Sequence, residues 1–280
     1  MRHYVKIEAI PELLEQIGEP GARILCGGTD LVVKIRSGVI DPELMLDISD
    51  TEALRGIQEK DDRVIIGAAT TVSEIIADRL VTEKLPLLQT VLRTLGSTQI
   101  RNRATLGGNL VNASPAADSA IPLLLYGADV IVTSAEGDRR IPVEKFLVAP
   151  GRTALASGEF VRGVSIPVLS MKFSSFFHKV GRRKAMIIAI ASLGALVSTK
   201  DGTIDEIRLA AGSVAPRPIR LHDLESELTG KEITPSLIDQ ANNVATRAVS
   251  PIDDVRASAD YRREVIGELV ARVLRDAARN

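Results

Sequence analysis

Two short glycine-centred segments, Cys26-Gly27-Gly28-Thr29-Asp30 and Thr105-Leu106-Gly107-Gly108-Asn109, constrain this chain most, because each reads as lying between an apolar strand-like run and an apolar helix-like run. Paired glycines permit backbone conformations that turn successive N–H groups toward an anion, and the positive end of a following helix adds a favourable field. Thr29, Thr105 and Asn109 add short polar side chains that reach phosphate oxygens. Neither segment has the lysine of a P-loop, and neither reads G-x-G-x-x-G, which argues against an ATPase and against a simple Rossmann unit. Either Gly-Gly alone is an ordinary tight turn. Two with matching flanks point to a ligand with two phosphates, gripped from two directions.

A chain of 280 residues has the length of about two domains. Its 35 basic and 36 acidic residues nearly cancel, so no global field draws nucleic acid or anionic lipid. Aromatic residues make up 3% and tryptophan is absent, which leaves few platforms for stacking bases; nucleic acid is not an expected partner. No signal-peptide core and no bilayer-length apolar run is found, so neither a membrane span nor export is expected and the cytoplasm is the expected location. The single cysteine, Cys26, excludes an internal disulfide, a cysteine-based zinc site and an iron–sulfur cluster held by this chain alone. His3, His178 and His222 lie far apart, so no metal site is expected.

Residues 1–50 read as a small βαβ-like unit: a helix at 12–17 opened by Pro11, a strand at 22–26, the first glycine segment, a helix at 30–36 and a strand at 44–48. A second unit begins with a hairpin around Lys60-Asp61-Asp62 and continues through helices near 71–78 and 85–95 to the second glycine segment. Ser114-Pro115 is expected to cap a helix running to about Tyr126, followed by strands at 128–133 and 160–167. From about 170 the pattern becomes strands at 171–180, 188–198 and 203–212, then helices at 221–228, 235–249 and 258–278. Strands followed by helices suggest an α+β layer of its own. Ile187–Val197 is apolar with an ambiguous period, so strand or helix stays open there.

Taken together, Cys26–Leu31, Gly96–Leu110, Asn112–Asp118 and the motif Arg256-Ala257-Ser258-Ala259-Asp260-Tyr261-Arg262-Arg263 closely resemble the FAD-binding medium subunits of molybdenum hydroxylases. This is the family of the carbon monoxide dehydrogenase medium subunit and the xanthine dehydrogenase flavin domain. The resemblance runs over nearly the whole chain in order and spacing. It implies an α+β fold: a two-part FAD-binding domain of the vanillyl-alcohol-oxidase/PCMH type over 1–170, with subdomains about 1–52 and 53–170. A smaller α+β domain like the carbon monoxide dehydrogenase flavoprotein C-terminal domain follows over 171–280, with a three-stranded sheet and helices.

The resemblance also implies site residues. Leu25, Cys26, Gly27, Gly28, Thr29, Asp30 and Leu31, with Thr105, Leu106, Gly107, Gly108 and Asn109, match the two segments that hold the FAD pyrophosphate. Asp118 matches an acidic residue that reaches a hydroxyl-bearing part of the cofactor; a carboxylate in the early turns of a helix is favourable anyway. Lys179 matches a basic residue near the flavin, with Phe177 and Val180 as candidate borders of the ring, or else is an edge-strand lysine that snorkels to solvent. Leu95 matches an apolar residue covering part of the cofactor and reads equally as core. Arg101 and Arg103 either offset phosphate charge or are solvated, and Ile187 stands where many relatives have Asp. The Ser258–Arg263 motif serves packing, subunit contact or the cofactor.

The implied function is that of a flavin subunit with non-covalent FAD. The molybdenum–pterin centre and [2Fe–2S] clusters would be carried only by a large and a small partner subunit, and electrons would pass to an external acceptor. No nucleophile–base pair is evident, which suits electron transfer. Two alternatives are a self-sufficient FAD-dependent oxidase, whose acid/base and aromatic residues are scarce in 171–280, and a flavin-free scaffold subunit.

Overall fold

The computed structural model describes residues 3–183 and 186–279. The chain opens with β1 (His3–Lys6), α1 (Ile10–Gln16), β2 (Ala22–Leu25), α2 (Leu31–Arg36) and β3 (Leu44–Asp47). Its three strands are parallel in the order β1-β3-β2, so β3 is central and its Met45 and Leu46 are buried. Pro11 sits in the first turn of α1, where its missing N–H costs no hydrogen bond. α2 buries no residue at all. Its position therefore owes more to the glycine segment before it than to an apolar face.

The second unit continues with β4 (Ile57–Lys60), β5 (Arg63–Gly67), α3 (Val72–Ala77), α4 (Arg79–Lys84), α5 (Pro86–Arg93), α6 (Thr98–Arg101), α7 (Leu106–Asn112) and α8 (Ala120–Tyr126). It is completed by β6 (Asp129–Ser134), β7 (Gly137–Pro142), α9 (Val143–Phe146), β8 (Leu147–Ala149), β9 (Arg152–Thr153) and β10 (Phe160–Pro167). The five-stranded sheet runs β4-β5-β10-β6-β7, all neighbours antiparallel. The last strand, β10, lies at the centre and closes the sheet. Its core holds Val64, Ile66, Val164 and Ile166 from the strands with Leu88, Val91, Leu106 and Leu123 from the helices.

The third unit holds β11 (Ser174–Val180), β12 (Ala191–Lys200), β13 (Thr203–Gly212), β14 (Ile219–Arg220), α10 (His222–Leu228), α11 (Pro235–Arg247) and α12 (Ala259–Ala277). Its sheet, in the order β11-β12-β13-β14, has four strands where three were expected, because two-residue β14 pairs with β13 at Ala210 and Ala211. A two-residue turn at Asp201 and Gly202, both with positive φ, joins β12 to β13. Ala191–Val197 is buried on both faces. That explains its illegible period: Leu193, Ala195 and Val197 meet α11 and α12, while Leu196 joins the core of the second unit. α8 lies on the opposite face, where a Cβ on Gly194 would come within 2.4 Å of Ile121. Glycine at that position lets the helix rest directly on the sheet.

Candidate functional site

The two glycine segments meet. A Cβ on Gly27 would lie 2.0 Å from the carbonyl oxygen of Arg103, so only glycine lets these backbones touch. Gly28 has φ +72°, in the left-handed region that favours glycine. Among the described residues, the amides of Gly28, Thr29 and Asp30 have no hydrogen-bond acceptor. Such amides invite an anion.

The second segment differs from the expectation. Helix α6, not a strand, precedes it, and Gly107 and Gly108 form the first turn of α7 instead of a loop before it. Thr105 is the N-cap, accepting from Gly108 N at 3.1 Å, which explains why threonine stands there. Gly107 is pressed against Ala68, with a virtual Cβ 2.7 Å away. Gly108 faces outward; its Cβ would meet only Thr105 Oγ1, at 3.0 Å. Lys34 donates to Asn112 Oδ1 at 2.6 Å and Asn112 donates to Asp30 Oδ1 at 3.3 Å, tying α2 to α7.

Together these segments line a cleft of 710 Å³. Cys26, Gly27, Gly28, Thr29, Asp30, Leu31, Thr105, Gly107, Gly108 and Asn109 all face it. Leu25 and Leu106 flank it without lining it, and Leu106 is wholly buried. Burial pushes the Cys26 thiol up, against the opposing effect of its hydrogen bond with Thr105. A protonated, half-buried thiol acts as packing, not as a nucleophile. The far wall, including Gly18, Gly21, Ser157 and Gly158, was not singled out from the sequence.

Asp118 and Lys179 form a pair with Nζ–Oδ2 at 2.5 Å and side-chain exposures of 6% and 10%. Lys179 therefore does not snorkel. Asp118 does not lie inside a helix either: α8 begins at Ala120, and Ser114 caps only a turn, its Oγ accepting from Ala116 N at 3.2 Å. Left-handed Ala113, at φ 45°, ends α7 and forces that turn. Burial raises the Asp118 carboxyl above its ordinary value, with Lys179 and the nearby Ser192 hydroxyl acting against it; neither Asp118 Oδ1 nor Ser192 Oγ has a partner in hydrogen-bonding geometry among the described residues. The next residue, Ser119, donates to Asn109 Oδ1 at 2.6 Å. The ion pair is thus joined to the cleft through a single residue.

Strand alternation separates the other expected neighbours. Phe177 shares the Lys179 face and packs on the core of the second unit, whereas Val180 packs on the opposite side against the C-terminal helices. Ile187 folds back onto Gly181, where a Cβ would sit 1.9 Å from its Cδ1. Leu95 is half-buried on the central core and lies outside the cleft. Arg101 turns inward, donating to Leu95 O at 3.0 Å and Gly96 O at 3.2 Å, so it braces its own turn; Arg103 is exposed. Among the described residues no cluster of His, Cys, Asp and Glu is suited to a metal ion, and no helix is long and apolar enough to cross a membrane.

Comparison with known proteins brings two family models to this chain. The FAD binding domain in molybdopterin dehydrogenase matches residues 2–169, and the CO dehydrogenase flavoprotein C-terminal domain matches residues 176–277. The glyceraldehyde dehydrogenase medium chain of Sulfolobus acidocaldarius is 32% identical over 276 residues, covering 98% of both chains. The carbon monoxide dehydrogenase medium chain of Hydrogenophaga pseudoflava is 29% identical, over 95% of this chain and 92% of its own. Among solved structures, quinoline 2-oxidoreductase from Pseudomonas putida superposes with a TM-score of 0.94 at 26% identity, over 100% of this chain and 97% of its own.

Proposed function

Since this chain belongs to the family of FAD-binding subunits of molybdenum hydroxylases, we propose that it is the electron-transfer subunit of such an enzyme. In this reading a large subunit hydroxylates the substrate at a molybdenum–pterin centre and a small subunit relays electrons through [2Fe–2S] clusters. The single cysteine of this chain requires the clusters to be held elsewhere. When bound, non-covalent FAD supplies the redox chemistry, taking electrons from the clusters and yielding them to an external acceptor.

One observation carries the placement of the cofactor: a continuous path from the paired glycine segments, through Asn109 and Ser119, to the Asp118–Lys179 pair. Free amides of Gly28, Thr29 and Asp30 and the outward face of Gly108 fit the pyrophosphate. The unpartnered Oδ1 of Asp118 fits a cofactor hydroxyl. Lys179 supplies a buried cation that favours negative charge on a reduced ring. We assign Cys26–Leu31 and Thr105–Asn109 to the phosphate end and Asp118 and Lys179 to the flavin end. The domain division proposed is 1–170, in two parts, and 171–280.

Gly108→Asp tests the placement. Its Cβ would press on a single side-chain atom, Thr105 Oγ1 at 3.0 Å, and on no backbone, so a small shift lets the fold survive while a negative charge enters the cleft. The purified full chain should carry oxidised flavin absorbing near ~450 nm, and Gly108→Asp should lose that band with its circular dichroism unchanged. Full flavin occupancy in this variant overturns the placement. Substrate hydroxylation by this chain alone would overturn the relay and favour a self-sufficient oxidase.

A further inference from the structure

The C-terminal motif has no residue in the cleft, yet it contains the bulkiest of the fully buried side chains, Arg262, at 2% exposure. Ser258 caps α12 by accepting from Tyr261 N at 3.3 Å, and that helix start aims Arg262 inward. Its Nη1 donates to two carbonyls, Ile190 O at 2.6 Å and Ser213 O at 2.9 Å. Its Nη2 forms an ion pair at 2.7 Å with Asp254 Oδ1, an oxygen that accepts from the amides of Arg256 at 2.8 Å and Ala257 at 3.3 Å, while Arg256 Nη1 lies 3.0 Å from Asp254 Oδ2.

Each carbonyl is the start of a short path to one member of the Asp118–Lys179 pair. Ile190 N donates to Val180 O at 2.8 Å, and Val180 is the neighbour of Lys179. Ser213 N donates to Pro115 O at 2.9 Å, three residues before Asp118. Ser213 has φ +63°, a conformation costly for a residue with a Cβ, and it is held from both sides, at N by Pro115 and at O by Arg262. Stability alone is a weak reason for a buried arginine, since a well-packed apolar substitute often serves as well. A planar guanidinium does what an apolar residue or a lysine does not: it holds two carbonyls and a carboxylate at fixed relative positions.

We infer that Arg262, fixed by Asp254, is a positioning residue that braces both backbone segments carrying the Asp118–Lys179 pair, and through them the flavin end of the cofactor. The last step rests on the FAD reading above; the brace itself does not. Hydrogen–deuterium exchange on the flavin-free full chain therefore comes first, comparing wild type, Arg262→Gln, Arg262→Lys and Leu274→Ala. Leu274 is buried in the same helix and its side chain makes no hydrogen bond to either path, so it controls for general loss of stability. The brace requires faster exchange around 179–180 and 115–118 in Arg262→Gln, a smaller change in Arg262→Lys and none there in Leu274→Ala.

On the flavin-loaded chain, Arg262→Gln should weaken FAD binding on the order of tenfold and shift its potential in the direction that Lys179→Met does, while Leu274→Ala leaves both unchanged. Equal exchange at both segments in wild type and Arg262→Lys and Arg262→Gln overturns the inference, as does loosening that Leu274→Ala reproduces. Loosened segments in a chain that takes up no flavin would instead sink the cofactor reading and leave the brace standing. Should Arg262→Gln fail to fold, Arg262→Lys decides the matter by the same two readouts.

Discussion

Asp118–Lys179 and Asp254–Arg262 are two carboxylate–cation pairs near the start of β12, the first buried on both sides and the second joining a buried arginine to a half-buried aspartate, and they are built in opposite ways. At Asp254, burial pushes the carboxyl up, but hydrogen bonds from the Arg256 amide and from Arg262 outweigh it and hold the group below 3.8. At Asp118 burial wins over Lys179 and the carboxyl stands above 3.8, with one oxygen unused. No backbone amide donates to it among the described residues. The lesson is that a carboxylate supplied by backbone amides and two guanidinium groups, as Asp254 is, has its acceptors occupied, whereas Asp118, with one acceptor open, has capacity left for a ligand.

The sharpest way to break this comparison is to remove each cation. Arg262→Met leaves the carbonyls of Ile190 and Ser213 without their buried donor, while Asp254 keeps Arg256 and two amides, and should cost ~2–4 kcal/mol of stability in urea unfolding. Lys179→Met should cost less, about 1–2 kcal/mol, because burial already raises the Asp118 carboxyl, so that taking up a proton once the lysine is gone relieves the unpaired charge. Equal losses would mean that the two pairs are alike. On the flavin-loaded chain, Lys179→Met should also lower the two-electron potential, each 30 mV corresponding to roughly 1.4 kcal/mol. A potential unmoved by the substitution would reduce Lys179 to a packing residue.

The smallest expected effect is in pH dependence, and its sign distinguishes the pairs. The folded-state pKa of Asp254 is depressed, so its contribution is present above 3.8 and is lost as pH falls through the folded value. That of Asp118 is raised, so its contribution is greatest below 3.8 and falls as pH rises through the folded value. Urea unfolding between about pH 3 and pH 6 should therefore show a shallower acid loss in Asp254→Asn than in wild type. An unchanged slope would mean that Asp254 is not held as described.

Much of the fold was legible in the sequence because its signals are local. Pro11 and the hairpin turns at Asp61-Asp62 and Asp201-Gly202 mark element starts and reversals through their own backbone preferences. Ser114 misled for the same reason: a serine before proline looks like a helix cap, but left-handed Ala113 turns the chain first and the helix waits until Ala120. Of the candidate site, the glycine segments could be read, whereas the partner of Lys179 and the inward course of Arg262 could not. Lys179 and Asp118 are 61 residues apart, and Arg262 meets Ile190 across 72.

By itself, then, the sequence determined where the backbone must come close, because glycine at 27, 28 and 107 is a statement about space or φ that neighbours need not complete. Only the tertiary structure decided which charges are buried and what they meet. Desolvation and ion pairing depend on strands brought together from distant parts of the chain. Thus a carboxylate–cation pair is buried with one acceptor open at Asp118 and Lys179, and ties an inward arginine to two carbonyls at Asp254 and Arg262.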